Sequence, residues 1–213
     1  ESLRPLNRGF DEFFGFLTGG HQYFPEQWNL ADETEVKCNF CAYRTKLLKN
    51  KERIDEKDYL TDALSRETVS FIERSSNSPF FIYLAYNAPH GPLQATEKYL
   101  KRYPHIKDKR RKTYAAMVSS IDDGVGKIVS ALKEKNIYDN TIIYFLSDNG
   151  GAKSNASNNS PLNSHKGTLY EGGIRIPFVM QWPDQIEGGT IFTKPIISLD
   201  IFATSKAIIN PDL

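Results

Sequence analysis

Phe80-Phe81-Ile82-Tyr83-Leu84-Ala85-Tyr86 and, further along, Thr141-Ile142-Ile143-Tyr144-Phe145-Leu146 are the runs on which the fold turns. Each is short, apolar and rich in aromatic or β-branched side chains, which suits a buried strand. A third run, Ile176 to Trp182, starts beside Pro177 and stops at Pro183, as a strand bounded by prolines would. Between the first two, Tyr114, Met117, Val118, Ile121, Val125, Ile128 and Leu132 recur at spacings of three and four, the stripe of a core-facing helix that ends near Asn136. A shorter stripe of Leu60, Leu64, Phe71 and Ile72 predicts a helix from about Asp58 to Ser75-Ser76-Asn77. Strands separated by helices cannot be hairpins. The pattern therefore predicts crossover connections and an α/β fold, with a largely parallel or mixed sheet flanked by helices.

Outward from these runs the chain changes character. Residues 1–57 hold Phe10, Phe13, Phe14, Phe16, Tyr23, Phe24 and Trp28 among glycines and polar residues with no sustained period, and read as a loop-rich leading segment. Residues 58–213 carry the α/β portion, and the Asn- and Ser-dense stretch from Lys153 to Ser164 reads as a mobile excursion from it. With 213 residues, 39% of them hydrophobic, the chain has enough apolar material for the core of one domain. Its 27 basic and 26 acidic residues leave a formal charge of +1, no field that would gather nucleic acid or an anionic membrane. The basic stretch Lys107 to Lys112 reads as the solvated face of a helix. No apolar run approaches the roughly 18 residues of a membrane span, and Glu1-Ser2-Leu3-Arg4-Pro5 lacks the regions of a signal peptide.

Cys38 and Cys41 are the cysteines of the chain, and their C-x-x-C spacing fits a local disulfide, half of a metal site or two ordinary thiols. No second Cys or His pair follows at zinc-site spacing and no βαβ pattern surrounds them, which favours a loop feature over a redox centre. His21, Gln22 and Tyr23 are open to two readings, a sugar subsite or packing. Asn155-Ala156-Ser157 and Asn158-Asn159-Ser160 fit the glycosylation sequon, which has meaning only in a eukaryotic secretory protein.

Ligands of open α/β sheets bind beyond the carboxyl ends of the strands, so the residues that follow each apolar run are the candidates for chemistry. After Tyr86 comes Asn87-Ala88-Pro89-His90-Gly91-Pro92, one imidazole in a proline-stiffened turn. After Leu146 comes Ser147-Asp148-Asn149-Gly150-Gly151, where a carboxylate and an amide oxygen stand side by side. Such a pair suits a hard cation, calcium or magnesium, but supplies only part of its shell; the same residues also make a good turn. The third strand is preceded by His165-Lys166-Gly167-Thr168-Leu169-Tyr170-Glu171-Gly172-Gly173-Ile174-Arg175-Ile176-Pro177, a charged, glycine-rich loop in which Glu171 and Arg175 read as an ion pair. Asp122 and Asp123, inside the long helix, read as structural.

Taken together these blocks carry a family resemblance. N-A-P-H-G-P-L-Q-A at 87–95, S-D-N-G-G at 147–151 and K-G-T-L-Y-E-G-G-I-R-I-P-F at 166–178 resemble successive blocks of the sulfatases, in their usual order. L-N-R-G-F-D-E-F-F-G-F at 6–16 is similar to the stretch that follows the family's G-K-W-H-L-G motif, and S-L-D-I-F at 198–202 to a helix start near the end of the catalytic domain. The resemblance implies an alkaline phosphatase-like fold, incomplete here, and hydrolysis of a sulfate ester, from a small sulfate to a sulfated polysaccharide. It implies Asp148 and Asn149 as ligands of Ca2+, with His90 and Lys166 on the sulfate ester, and a periplasmic, secreted or lysosomal setting. The family nucleophile is a formylglycine made in C/S-x-P-x-R. Neither Cys38 nor Cys41 meets that pattern and no serine does, so the resemblance implies that the nucleophile, the paired aspartates and G-K-W-H-L-G lie upstream, that a C-terminal subdomain follows, and that the chain alone is inactive. Two alternatives share many of these features: a phosphodiesterase or phosphonate hydrolase of the same superfamily, and a noncatalytic protein that binds sulfated glycan.

Overall fold

The computed structural model describes residues 3–210. The leading segment is a small antiparallel meander, β1 (Phe14–Gly15), β2 (Leu47–Lys49) and β3 (Glu52–Ile54). Asn50 turns β2 into β3 with a left-handed φ of 58°, a conformation asparagine tolerates better than most residues. Its side chain also accepts the Phe13 N–H at 2.9 Å and so pins β1 to the turn. The rest of the segment is short 3-10 turns and loops, as the lack of periodicity predicts. Cys38 and Cys41 are joined in a disulfide, the first of the readings their spacing allowed.

Two long helices form the body: α1 (Leu60–Ser75) and α3 (Lys109–Glu134), with the short α2 (Glu97–Leu100) between them. Asp108 caps α3 by accepting the Arg111 N–H at 2.7 Å. Its other end closes at Asn136, left-handed at φ 57°, where Asn136 N–H donates to the Lys133 carbonyl and Ile137 N–H to that of Leu132. That pair of bonds is the Schellman pattern, which satisfies carbonyls the helix itself leaves open. Leu60, Leu64, Met117 and Ile121 meet Tyr23, Trp28, Leu47, Tyr59 and Tyr99 in the main core, while Ile72, Ala131 and Leu132 centre a second cluster. Asp123 is structural, as predicted: it takes both Arg102 guanidinium nitrogens, at 2.7 and 2.8 Å, and Lys98 at 3.2 Å. These partners, Arg102 first, hold its carboxyl at about 2.

The sheet departs from the simplest expectation. β4 (Ile143–Leu146) pairs with β5 (Phe178–Gln181) antiparallel, Ile143 opposite Gln181 and Leu146 opposite Phe178. The connection between them is mostly loop, with a 3-10 turn at Lys153–Asn155 and the four-residue helix α4 (Glu171–Ile174). Among the described residues the paired strands are thus antiparallel, an isolated parallel bridge joins Leu30 and Thr45, and the fold is α/β with small sheets rather than one parallel sheet. Phe80–Tyr86 is extended but has no ladder partner among the described residues. It alternates: Phe80, Ile82, Leu84 and Tyr86 turn inward, while Phe81 and Tyr83 are 69% and 74% exposed. The run is therefore half-buried on one face, and its apolar outer residues do not mark a second buried face. The last helix, α5 (Leu199–Ile209), begins just after Ser198 and leaves Leu199, Phe202 and Ile209 exposed. No helix among the described residues is long and apolar enough to cross a membrane.

One contact links this scaffold to the loops that follow. Tyr86, the last residue of the extended run, shares a 2.7 Å hydrogen bond with Ser65 of α1, and both side chains press on Gly124 of α3. A Cβ at Gly124 would stand 2.6 Å from the Tyr86 hydroxyl oxygen and closer still to Ser65 Oγ. The missing side chain lets α1, α3 and the run meet at the point where the His90 turn begins. Gly124→Ala should accordingly destabilise the protein by about 1–3 kcal/mol through overpacking, outweighing the gain of about 1 kcal/mol in helix propensity. Urea unfolding of the intact protein checks the sign.

Candidate active site

The site lies where loops leave the ends of Phe80–Tyr86 and β4. His90 is exposed on the first of these. Its N–H donates to the Asn87 carbonyl at 2.8 Å, and its Nδ1 lies 2.8 Å from the Gly91 carbonyl. A carbonyl can only accept, so Nδ1 carries a proton and Nε2 is the nitrogen left for a ligand.

At the end of β4, Ser147 Oγ donates to the Asn149 carbonyl at 2.8 Å, and Asn149 Nδ2 donates to the Gly150 carbonyl at 3.0 Å. The Asn149 amide oxygen has no hydrogen bond among the described residues. Asp148 is exposed and has no ion-pair partner among them. Lys166 is half-buried and its ammonium likewise has no carboxylate partner among the described residues. A carboxylate and a lysine that stability does not use are available to a ligand. Glu171 and Arg175 do pair with each other, at 3.2 Å, as predicted.

Backbone contacts hold these loops together. The Lys166 N–H donates to the Gly151 carbonyl at 3.2 Å, so lysine and Asp-Asn loops share a wall. Gly150 N–H donates to the Gly173 carbonyl at 2.9 Å, and Gly172 N–H to that of Asn163 at 2.7 Å. These approaches require glycine: a Cβ at Gly150 would overlap the Gly172 carbonyl, and one at Gly172 would lie 2.5 Å from the Asn163 oxygen. The Asn- and Ser-dense stretch is a brace here rather than a loose excursion. Asn159 donates to the Gly151 carbonyl and accepts its N–H, both at 2.9 Å, and also donates to the Ser164 carbonyl at 3.2 Å. Asn155 Nδ2 reaches the Pro89 carbonyl at 3.2 Å, tying the brace to the His90 turn. Arg110 and Arg111 of α3 donate to the Ser154 and Ala156 carbonyls from the other side. Sequence reasoning missed these asparagines because composition alone does not distinguish a polar loop that hydrogen-bonds itself from one that does not.

The chain matches the sulfatase family model over residues 2–209. It belongs to the sulfatase family. It is 34% identical to the uncharacterized sulfatase YdeN of Escherichia coli, covering 96% of this chain and 34% of that protein. With human N-acetylgalactosamine-6-sulfatase it shares 31% identity over 97% of this chain and 39% of the relative. Among solved structures, Ps i-CgsB in complex with k-i-k-neocarrahexaose superposes with a TM-score of 0.93 at 46% identity, covering 100% of this chain and 48% of that one. The sulfatase PsFucS1 of Pseudoalteromonas sp. does so with a TM-score of 0.75 at 27% identity, covering 99% and 45%. The chain thus spans between a third and a half of each of these relatives.

For a sulfatase cation, the residues present fit part of a shell. Asp148 and Asn149, neighbours in sequence, offer side-chain oxygens with no partner among the described residues, whereas calcium takes six to eight, so others must come from elsewhere. No group of three or more His, Cys, Asp or Glu able to hold a metal occurs among the described residues. His21 and Tyr23 are wholly buried, which resolves their two readings in favour of packing. Burial also pushes the His21 imidazole below its ordinary range. Because Gly150 joins the Asp-Asn and lysine loops, Gly150→Ala should lower turnover of the intact enzyme by about 100-fold or more, as misplacement of reacting groups by about 1 Å does. Steady-state kinetics beside a thermal melt separates that loss from unfolding.

Proposed function

We propose that the protein containing this chain hydrolyses a sulfate ester of a galactan oligosaccharide of the carrageenan type, and that this chain supplies part of its cation and sulfate site. The reaction is R–O–SO3− plus water to R–OH, sulfate and a proton. The observation that supports the reading is the set of hydrogen bonds joining the loops at Gly150, Gly151 and Asn155, because in this sulfatase-family chain those loops carry an exposed imidazole and a carboxylate and a lysine without an ion-pair partner among the described residues. The substrate class is supported by the 46% identity to a protein solved with k-i-k-neocarrahexaose.

In this reading Asp148 and Asn149 hold Ca2+, which when bound would draw charge from the sulfuryl oxygens. Lys166 places an ammonium against the same oxygens, where it offsets charge that builds as the S–O ester bond breaks. His90, with Nδ1–H donated to Gly91, presents Nε2; when that nitrogen is protonated it gives its proton to the departing alkoxide oxygen. The nucleophile lies in none of these residues. Cys38 and Cys41 are committed to their disulfide, so the formylglycine that the family uses would come from a C/S-x-P-x-R segment outside this chain. The chain alone is inactive on this account.

The test is sulfate release, followed by ion chromatography, from carrageenan oligosaccharides by the intact, matured protein. Release should fall by about 100-fold or more in His90→Ala, the scale of a general acid, and comparably in Lys166→Ala. A calcium chelator should abolish it and added Ca2+ should restore it. Failure of the intact protein to release sulfate from any carrageenan or aryl sulfate, or faster turnover of phosphate diesters, would contradict the proposal.

A further inference from the structure

His90 is exposed, and the only side-chain hydrogen bond it makes among the described residues is to the next residue in its own turn. Its ring direction is therefore set by the backbone of residues 89–91, and what holds that backbone becomes a functional question. One holder is Asn155, through the Pro89 carbonyl. The other comes from the core. Tyr23 is wholly buried, stacks on Tyr59 with ring centroids 5.8 Å apart, and donates its hydroxyl to the His90 carbonyl at 2.9 Å.

Tyr23 is itself fixed from several directions. Its N–H donates to Gln94 Oε1 at 2.8 Å, and its carbonyl accepts the Leu60 N–H at the start of α1 at 2.9 Å. Gln94 Nε2 donates onward to Gln22 Oε1 at 2.9 Å and Gln27 Oε1 at 2.8 Å, and its carbonyl accepts the Tyr59 hydroxyl at 2.8 Å. The His90 turn is thus clamped by Tyr23 at its middle and by Gln94 at its end. A tyrosine whose only task was to fill the core would not need its oxygen aimed at this carbonyl, since phenylalanine offers the same ring without a polar atom to satisfy.

We infer that Tyr23 is a positioning residue for His90, holding the imidazole where it can serve the leaving alcohol; this rests on the sulfatase reading and on the role given there to His90. Burial pushes the Tyr23 phenol well above its ordinary range, so it remains a donor at any working pH. Tyr23 touches no substrate and acts only through the turn.

The experiment is Tyr23→Phe in the intact enzyme, measured on two substrates, with and without His90→Ala. A sugar sulfate has a poor leaving group that needs a proton, whereas 4-nitrophenyl sulfate has a good one that does not. Tyr23→Phe should lower kcat on the sugar sulfate by about tenfold with KM little changed, and leave 4-nitrophenyl sulfate within about twofold. In the His90→Ala background the same substitution should change neither. Equal losses on both substrates, or a loss that persists without His90, would overturn the inference and leave Tyr23 a structural residue. Should Tyr23→Phe not fold, Gln94→Ala, which frees the Tyr23 N–H, is read by the same pattern. If the unaltered enzyme releases no sulfate from either substrate, the sulfatase reading falls and this inference with it.

Discussion

The hydrogen bond from Gly150 to the Gly173 carbonyl is the constraint on which the candidate site depends. It can form at an ordinary 2.9 Å because Gly150 lacks a side chain, which would run into the Gly172 carbonyl, and it brings the loop after β4 against the loop before β5. The lysine loop and its asparagine brace inherit that placement. Lys166 reaches Gly151 because the lysine loop is already held, and Asn159 can then fill both hydrogen-bonding positions of Gly151 at once. A glycine-rich loop is usually read as flexible; here glycine serves close approach, and the asparagines supply the rigidity.

The helices matter to chemistry through a chain of contacts that is polar at its critical points. Ser65 of α1 meets Tyr86 over Gly124 of α3, and Gln94 joins Tyr59, Tyr23, Gln22 and Gln27 beside the main core. Apolar packing brings α1 and α3 together without strong directionality. The buried hydrogen bonds then fix one arrangement of the turn that carries His90, since leaving any of these groups unpaired would cost about 1–3 kcal/mol. The leading segment, irregular as it is, takes part in this: residues 21–28 pack under the His90 turn and pass the order of the core to it.

Periodicity made the two long helices legible, though not the start of the second at Lys109. The stripe from Tyr114 to Leu132 became α3, and Asn136 ended it as an αL cap. The polar loops that carry the candidate residues were legible too, because they directly follow or precede apolar runs. What periodicity could not supply was sheet direction. A run such as Phe80–Tyr86 is apolar on both faces whether or not the second face is covered within the described residues, and strand order depends on contacts far apart in sequence. The antiparallel return of β5 on β4 follows from a loop excursion whose residues carry no repeating pattern. The bracing roles of Asn155, Asn159, Tyr23 and Gln94 were equally hidden, since each depends on a single donor meeting a single carbonyl many residues away.

The central claim is that loops from three parts of the chain converge on one sulfate ester. A crystal structure of the intact protein with Ca2+ and a bound sulfated oligosaccharide tests it most directly. The account predicts oxygens of Asp148 and Asn149 on the cation, with Lys166 Nζ and His90 Nε2 within hydrogen-bond reach, about 3.2 Å, of the sulfate ester. A sulfate group bound away from these loops, or a cation held without Asp148, would contradict it.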